Sequence, residues 1–409
     1  MMNVVNSLIN FPSEKIPEIN LVRDVSKHLK RGHRWIFADC FDQKEKHSEG
    51  FAILKSRNEV LAFGLVQPDT QLRFRVLCLG EEAFVRNNNL FHTMTVWSEL
   101  QWKKAIDLRK YFRSDMTNSF RLINGEGDGL PGLVIDIYDD TAVIKHDHLV
   151  FEKFWNHQGI ATKIVQDFPY IKTVYLKRRN DDDVKGVEIL GHLKEEVIFK
   201  ENGSFFATNI RDAAKTGFFL DQRDNRKLIG LFSHDKSVLN LFSYTAGFSV
   251  FAALGGAKEV TSVDIAKAAI LAASRNFLVN GLTTKHEAIA QDAFLFIDER
   301  IKDKSKWDLV ITDPPSFAPN QKSIETAVEA YIKIFSQSLK LVSANGMFAA
   351  SSCSSHITTD KFLDICREAF SKNRKRGTLV YFGGQPFDHP YPMAMEELRY
   401  LKFALFRVD

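Results

Sequence analysis

Two short segments carry side chains that could do chemistry together. Ala350-Ser351-Ser352-Cys353-Ser354-Ser355 sets a thiol among four serines at the end of an apolar run. Val310-Ile311-Thr312-Asp313-Pro314-Pro315-Ser316-Phe317 sets a carboxylate before two prolines at the end of another. A cysteine in an apolar run is ordinarily a small buried filler. At a strand tip among hydroxyls, Cys353 reads instead as a nucleophile. A thiolate adds to C6 of a pyrimidine, and that addition makes C5 nucleophilic enough to take a methyl group from a sulfonium. The thiolate needs polar donors or positive charge around it. Asp313 would face the N3–N4 edge of the base, where a proton-sharing carboxyl offsets charge building on the ring. The prolines stop the strand and stiffen the loop, and Pro314, Pro315 and Phe317 would border the base. His389, in Phe387-Asp388-His389-Pro390, could touch substrate or remove a proton; the commoner roles of a loop histidine are solvation and capping. Cys40, Cys78 and Cys366 read as structural, and no cysteine spacing is of the zinc type, so no metal is expected.

A second constellation has the form of a nucleotide-type ligand site. Val238-Leu239-Asn240-Leu241-Phe242-Ser243-Tyr244-Thr245-Ala246-Gly247 is a buried strand running into a tight turn and a helix. Gly247 lets the backbone pass close to a ligand, and the helix start offers free N–H groups. Asn240, Phe242, Ser243, Tyr244 and Gly247 are the residues placed against it. Asp264 follows Asn240 by 24 positions, at the tip of the next strand, where a carboxylate can accept both hydrogens of a ribose diol. The first turn lacks the G-x-G-x-x-G that seats a pyrophosphate, which argues against a nicotinamide oxidoreductase and for S-adenosylmethionine. Asp292, after a third strand, could accept from the adenine amino group while Ala293 and Phe294 shape the ring pocket; the alternative is a plain helix N-cap.

The elements that must position these groups follow from the pattern. From about Asp221 to Asp409 strand and helix alternate, which implies a mostly parallel sheet with helices on both faces and ligands beyond the carboxyl strand ends. Strands are predicted at Ser237–Leu241, Glu259–Asp264, Asp308–Thr312, Gly346–Ser352, Thr378–Phe382 and Tyr400–Val408. From about Val22 to Leu79 one basic helix and several closely spaced β-type runs imply a small barrel. Between them, a helix over Leu90–Phe112 leads to a glycine-rich stretch, Asn124 to Gly132, and further strands, with a polar loop at Asp181–Asp183. The chain has 409 residues, 44% of them apolar and 26% charged, and four cysteines. These values fit a globular protein of two or three domains without a disulfide scaffold, and a cytoplasmic setting is the simplest expectation. No apolar run is long enough for a membrane span, and Met1–Glu14 does not read as a secretory signal. Lys+Arg minus Asp+Glu is 55 − 51 = +4, mildly basic. Arg23, Lys27, Lys30, Arg31 and Arg34 cluster against Asp24, which permits a polyanionic partner.

Taken together, these segments resemble the bacterial ribosomal RNA cytosine-5 methyltransferases of the large-subunit methyltransferase I type. The resemblance runs from about Leu21 to Val408. It is carried by Arg31–Phe37, Phe120–Ile135, Thr216–Arg226, Asn240–Phe248, Asp313–Phe317, Ser352–Ser354, Asp388–Pro390 and Tyr400–Phe403. It implies an α/β class I methyltransferase domain, Rossmann-like, with a mostly parallel sheet and an antiparallel last strand. A PUA-type RNA-binding barrel and a β-rich linking domain would precede it, with boundaries at 1–84, 85–205 and 206–409. The resemblance further implies that Asp221 and Gln222 border the cofactor, that Cys353 is the nucleophile, and that the substrate is a cytosine in large-subunit ribosomal RNA swung out of its stack. Lys27, Arg31 and Arg34 would contact phosphates. The sequence departs from the family where Ala246 replaces a second glycine and Ser316 a common lysine. Pro315 and Ser316 also stand where many cytosine-5 RNA enzymes carry a second cysteine. Two other readings stand beside this one: methylation of an exocyclic amino group by Asp313-Pro314-Pro315, which leaves Cys353 idle, and a non-catalytic RNA-binding assembly factor. A homodimer is left open.

Overall fold

The computed structural model describes residues 7–12, 15–57, 59–81, 89–110, 112–178, 186–318 and 323–409. The polar stretch Asp181–Asp183 lies outside them. The chain forms two compact units. The first takes the chain up to Val197 together with Asn209–Phe218 and Asp388–Glu396; the second takes Ile198–Thr208, Phe219–Phe387 and Glu397–Asp409. Among the described residues no helix is long and apolar enough to cross a membrane.

The first unit contains two five-stranded sheets. The chain begins with β1 (Glu18–Asn20), α1 (Ser26–Lys30), β2 (Trp35–Phe37), β3 (Gly50–Ser56), β4 (Glu59–Val66) and β5 (Leu72–Leu79). Their order is β1-β3-β4-β5-β2, and the N–H of Val22 donates to the carbonyl of Cys40 at 3.0 Å, joining the two edges into a barrel. β1, too short for an alternation to show, is absent from the strands predicted above. Next come α2 (Leu90–Arg109), β6 (Ser119–Asn124), β7 (Leu133–Tyr138), β8 (Thr141–His146), α3 (Leu149–Phe154), α4 (His157–Asp167), β9 (Thr173–Lys177) and β10 (Val187–Leu190). They build the sheet β10-β9-β8-β7-β6. Phe51, Phe63 and Leu65 of the barrel share one apolar core with Met94, Trp97 and Phe120 of this second layer.

The glycine-rich stretch is a clasp within this unit. Glu126 accepts from the indole of Trp35 at 2.8 Å and from Nε of Arg75 at 2.7 Å, tying the barrel to the linking layer. Asp128 takes a two-pronged ion pair from buried Arg109, at 2.5 and 2.8 Å. Arg109 also donates to the carbonyl of Asp388 at 2.9 Å, and Asn124 to that of Pro390 at 2.7 Å. At Gly127 a Cβ would stand 1.9 Å from the Pro390 oxygen, so only glycine lets the two backbones approach this closely.

The second unit opens with a hairpin of β11 (Val197–Glu201) and β12 (Ser204–Thr208), then alternates α5 (Arg223–Leu231), β13 (Ser237–Leu241), α6 (Gly247–Leu254), β14 (Glu259–Asp264), α7 (Lys267–Val279), β15 (Lys285–Ala290), α8 (Ala293–Lys302), β16 (Trp307–Thr312), α9 (Ile324–Leu339), β17 (Val342–Ser352) and α10 (Thr359–Lys372), before β18 (Gly377–Gly383) and β19 (Lys402–Val408). The seven-stranded order is β15-β14-β13-β16-β17-β19-β18. β13 to β17 run parallel to one another, and β19 is antiparallel to its neighbours β17 and β18. The near-continuous apolar runs of β13, β16 and β17 are buried, as a sheet covered on both faces requires. Residues of α8, α9 and α10 form one core with β13, β14, β16, β17 and β19. The order reverses at β13, with β14 on one side and β16 on the other. Ligands of such sheets sit at that point, beyond the carboxyl strand ends. This is the class I methyltransferase arrangement with an antiparallel last strand, as the resemblance implied.

Candidate active site

The turn after β13 is held in an unusual backbone shape. Phe242, Tyr244 and Ala246 all have positive φ, at 58°, 47° and 62°. Such values cost an L-residue roughly 1–2 kcal/mol each and persist only where the surroundings over-determine them. Here the N–H of Ser243 donates to the carbonyl of Val263 at 2.9 Å, and the N–H of Ala246 to the carbonyl of Ser243 at 2.8 Å. The N–H of Tyr244 donates to Oδ2 of Asp264 at 2.9 Å, while Oδ1 of Asp264 accepts from Ala266 at 2.9 Å. Asp264 therefore organises the turn from the tip of β14. Ala246, the departure from the family glycine, adopts the left-handed conformation that glycine favours. Gly247 is buried and starts α6.

Around this turn several buried polar atoms have no hydrogen-bond partner among the described residues: Oδ1 of Asn240, Oγ of Ser243, Oγ1 of Thr245, Oγ1 of Thr312 and Oδ1 of Asp221. Buried polar groups are normally satisfied, so such a cluster at strand tips marks a place built for a polar ligand. The amide nitrogen of Asn240 is spent on Ser249 at 2.9 Å, pinning α6 to the sheet. Aromatic rings stand beside the polar atoms. Phe242 meets Phe294 edge-on at 6.5 Å, and Tyr244 meets Phe219 edge-on at 5.1 Å. The donor set, with apolar rings beside acceptors and hydroxyls, fits an adenosyl group. Asp292 caps α8, its Oδ1 accepting from Phe294 and Leu295 at 2.9 and 3.1 Å.

The tips of β16 and β17 lie side by side, since Thr312 pairs with Ala350 in parallel register. Asp313 follows the first, and Cys353, half-buried, the second. Gln222 bridges them: its amide donates to Oδ2 of Asp313 at 2.9 Å and to Oγ of Ser351 at 3.0 Å. Asn225 holds Gln222 in turn, donating to its carbonyl oxygen at 2.7 Å. Burial, opposed by hydrogen bonds from Ser351 and Gln222 and aided by the charge of Asp221, pushes the Asp313 carboxyl up from 3.8 to about 6. A carboxyl tuned to that range can give or take a proton near neutrality. Asp221 receives the hydroxyl of Tyr400 at 2.8 Å. On the other flank of Cys353, Oγ of Ser354 lies 2.9 Å from Ser316 and 2.8 Å from the Tyr331 hydroxyl. Phe317 packs on the Tyr331 ring at 4.8 Å. Pro314 is buried, while Pro315 is exposed.

The second unit thus brings together Asp221, Gln222, Asn240, Phe242, Ser243, Tyr244, Gly247, Asp264, Asp292, Asp313 and Cys353 around neighbouring strand tips. His389 belongs to the first unit, buried, with Nδ1 3.1 Å from the Asp388 carboxylate. That carboxylate also accepts from the N–H of Arg121 at 2.9 Å, so the segment serves the clasp. Lys27 and Arg31 are exposed on and just after α1, and Arg34 is half-buried before β2. Sequence reasoning missed Asn225, Tyr331, Tyr400 and Lys402. Lys402 carried a readable signal, a lone charge inside the apolar run Leu401 to Phe406.

Comparison with known proteins agrees with this geometry. Residues 170–376 match the model of an S-adenosylmethionine-dependent methyltransferase family, and residues 19–79 match that of a PUA-like domain. A ribosomal RNA large subunit methyltransferase of Deinococcus radiodurans is 30% identical over 97% of this chain and 99% of its own length. A ribosomal RNA large subunit methyltransferase I of Tolumonas auensis is 31% identical over 95% of this chain and 98% of its own. A solved methyltransferase complexed with S-adenosylhomocysteine superposes with a TM-score of 0.81 at 27% identity, covering 96% of this chain and 100% of its own. A Streptococcus mutans methyltransferase structure gives 0.82 at 26% identity, with the same coverages.

Proposed function

Because the chain belongs to the S-adenosylmethionine-dependent methyltransferases, in the branch of the large-subunit ribosomal RNA enzymes, we propose that it methylates C5 of a cytosine in that RNA through a covalent bond from Cys353 to the base. When bound, S-adenosylmethionine supplies an electrophilic methyl group on a sulfonium. The residues that would hold it are Ser243, Tyr244 and Asp264 of the β13 and β14 tips, with Phe242 and Phe294 beside the adenine. The carrying observation is the hydrogen-bonded bridge from Asp313 through Gln222 to Ser351, two residues from a half-buried thiol.

The role of each group follows from its environment. The Cys353 thiolate attacks C6, the ring becomes nucleophilic at C5 and takes the methyl group, and loss of the C5 proton to water then breaks the S–C6 bond and returns the thiolate. Asp313, with its raised pKa, shares a proton with N3 and offsets the negative charge that the addition puts on the base. Gln222 fixes the orientation of that carboxyl. Pro314 and Phe317 wall the base, and the base reaches them by leaving its stack. Lys27, Arg31 and Arg34 in the PUA-like domain hold the RNA by its phosphates.

The experiment is methyl transfer to large-subunit ribosomal RNA by the wild-type protein and Cys353→Ala, with the product nucleoside identified by mass spectrometry. The expected result is 5-methylcytidine from the wild type and none from the variant. Full activity in Cys353→Ala would instead support methylation of an exocyclic amino group. Absence of S-adenosylmethionine binding by calorimetry would leave only a non-catalytic RNA-binding role.

A further inference from the structure

Lys402 is 2% exposed, at the first position of β19. It pairs with Ser352 across the antiparallel ladder, and its ammonium donates to the carbonyl of Ser354 at 2.6 Å and to that of Tyr400 at 2.8 Å. It therefore brackets Cys353, touching the residue before it by backbone pairing and the residue after it by a side-chain bond. Among the described residues no carboxylate lies within ion-pair distance of this ammonium. A buried cation held only by carbonyl dipoles is costly, and such cations are normally compensated by an anion.

We propose that Lys402 is a positioning residue whose buried ammonium is the counter-charge of the Cys353 thiolate. This rests on the reading of Cys353 as the nucleophile. The thiol proton leaves to solvent, the ammonium keeps its own three protons, and the sulfur lone pair so exposed is the one that forms the bond to C6. Three influences set the pKa of Lys402: burial, the largest, pulls it down, Cys353 pushes it up and Arg399 pulls it down, for a net fall from 10.5 to about 8. Of the other titratable groups acting on this pair, Tyr331 is buried with its phenol pKa raised and stays neutral, while Arg399 is a second cation that acts on Lys402 by repulsion.

The test is the pH dependence of Cys353 alkylation by iodoacetamide in the full-length protein, read on the Cys353 peptide by mass spectrometry so that the other cysteines do not interfere. In the wild type the midpoint is expected well below the ordinary thiol value of about 8.5. Lys402→Met should raise it by about one to two pH units and slow alkylation at pH 7 roughly tenfold or more. Lys402→Arg should keep it low. Methyl transfer by Lys402→Met should fall at neutral pH and recover in part as pH rises, with KM for RNA unchanged. A wild-type midpoint at or above about 8.5 overturns the proposal even if Lys402→Met fails to fold, and so does an unchanged midpoint in a folded Lys402→Met. Methyl transfer that survives in Cys353→Ala would sink the covalent reading separately, because the alkylation profile does not depend on turnover.

Discussion

Replacing Asp313 by Asn should abolish methyl transfer and at the same time stabilise the ligand-free protein. The carboxyl titrates at about 6 in the folded chain against 3.8 as its ordinary value. An acid whose folded pKa is raised binds its proton more tightly in the folded state. The folded protein is therefore favoured as pH falls through 6, and the cost is fully present above it. The difference of about two units corresponds to about 3 kcal/mol at most, and solvent access to this half-buried group reduces that to about 1–2 kcal/mol. Asn keeps an oxygen for the Gln222 amide while removing the charge. Urea denaturation of wild type and Asp313→Asn between pH 4.5 and pH 8.5 measures the effect. The variant should be more stable by that amount at pH 8, and the gap should close as the pH drops through 6. A variant equally stable or less stable at pH 8 would refute the argument that burial strains this carboxylate.

Three further outcomes follow from the same geometry. Ala246→Gly should stabilise the protein by about 0.5–1 kcal/mol, since relief of a left-handed alanine outweighs the chain entropy that glycine adds to the unfolded state; a chemical denaturation curve checks it. Gly127→Ala should destabilise by about 1–3 kcal/mol, because the added methyl meets a backbone oxygen that cannot swing away, and a thermal melt should show the loss. Neutralising Lys27, Arg31 and Arg34 together should weaken RNA binding at low salt and flatten the slope of log K against log salt by about two, as read by filter binding.

Much of the second unit was legible because parallel strands buried on both faces write continuous apolar runs, and their tips carry acids or glycines where a ligand sits. β13, β14, β16 and β17 announce themselves this way, and Cys353 and Asp313 stood out at their ends. Lys402 was passed over because its partners are carbonyls and because its role arises from a register, Ser352 opposite Lys402, that no local pattern encodes. The placement of His389 was equally hidden. Its neighbour Asp388 meets Arg109 across a separation of 279 residues, and local sequence carries no mark of such a contact. The short strands β1 and β10 lack the length over which alternation can be recognised. The loop acids Asp264 and Asp292 were visible as acids, but their backbone hydrogen bonds depend on the turn geometry around them.

The return of Asp388–Glu396 to the first unit bears on how the chain can be made. Arg109, Arg121 and Asn124 emerge from the ribosome early, yet the backbone and carboxylate they grip are synthesised near the end. Until then a nascent chain holds a buried guanidinium site short of one acceptor. The first unit is therefore completed only once most of the second has been translated, and β19, the strand that carries Lys402, follows directly afterwards. Truncation ahead of this segment should leave both halves unfinished, so the two ought to be expressed as one piece.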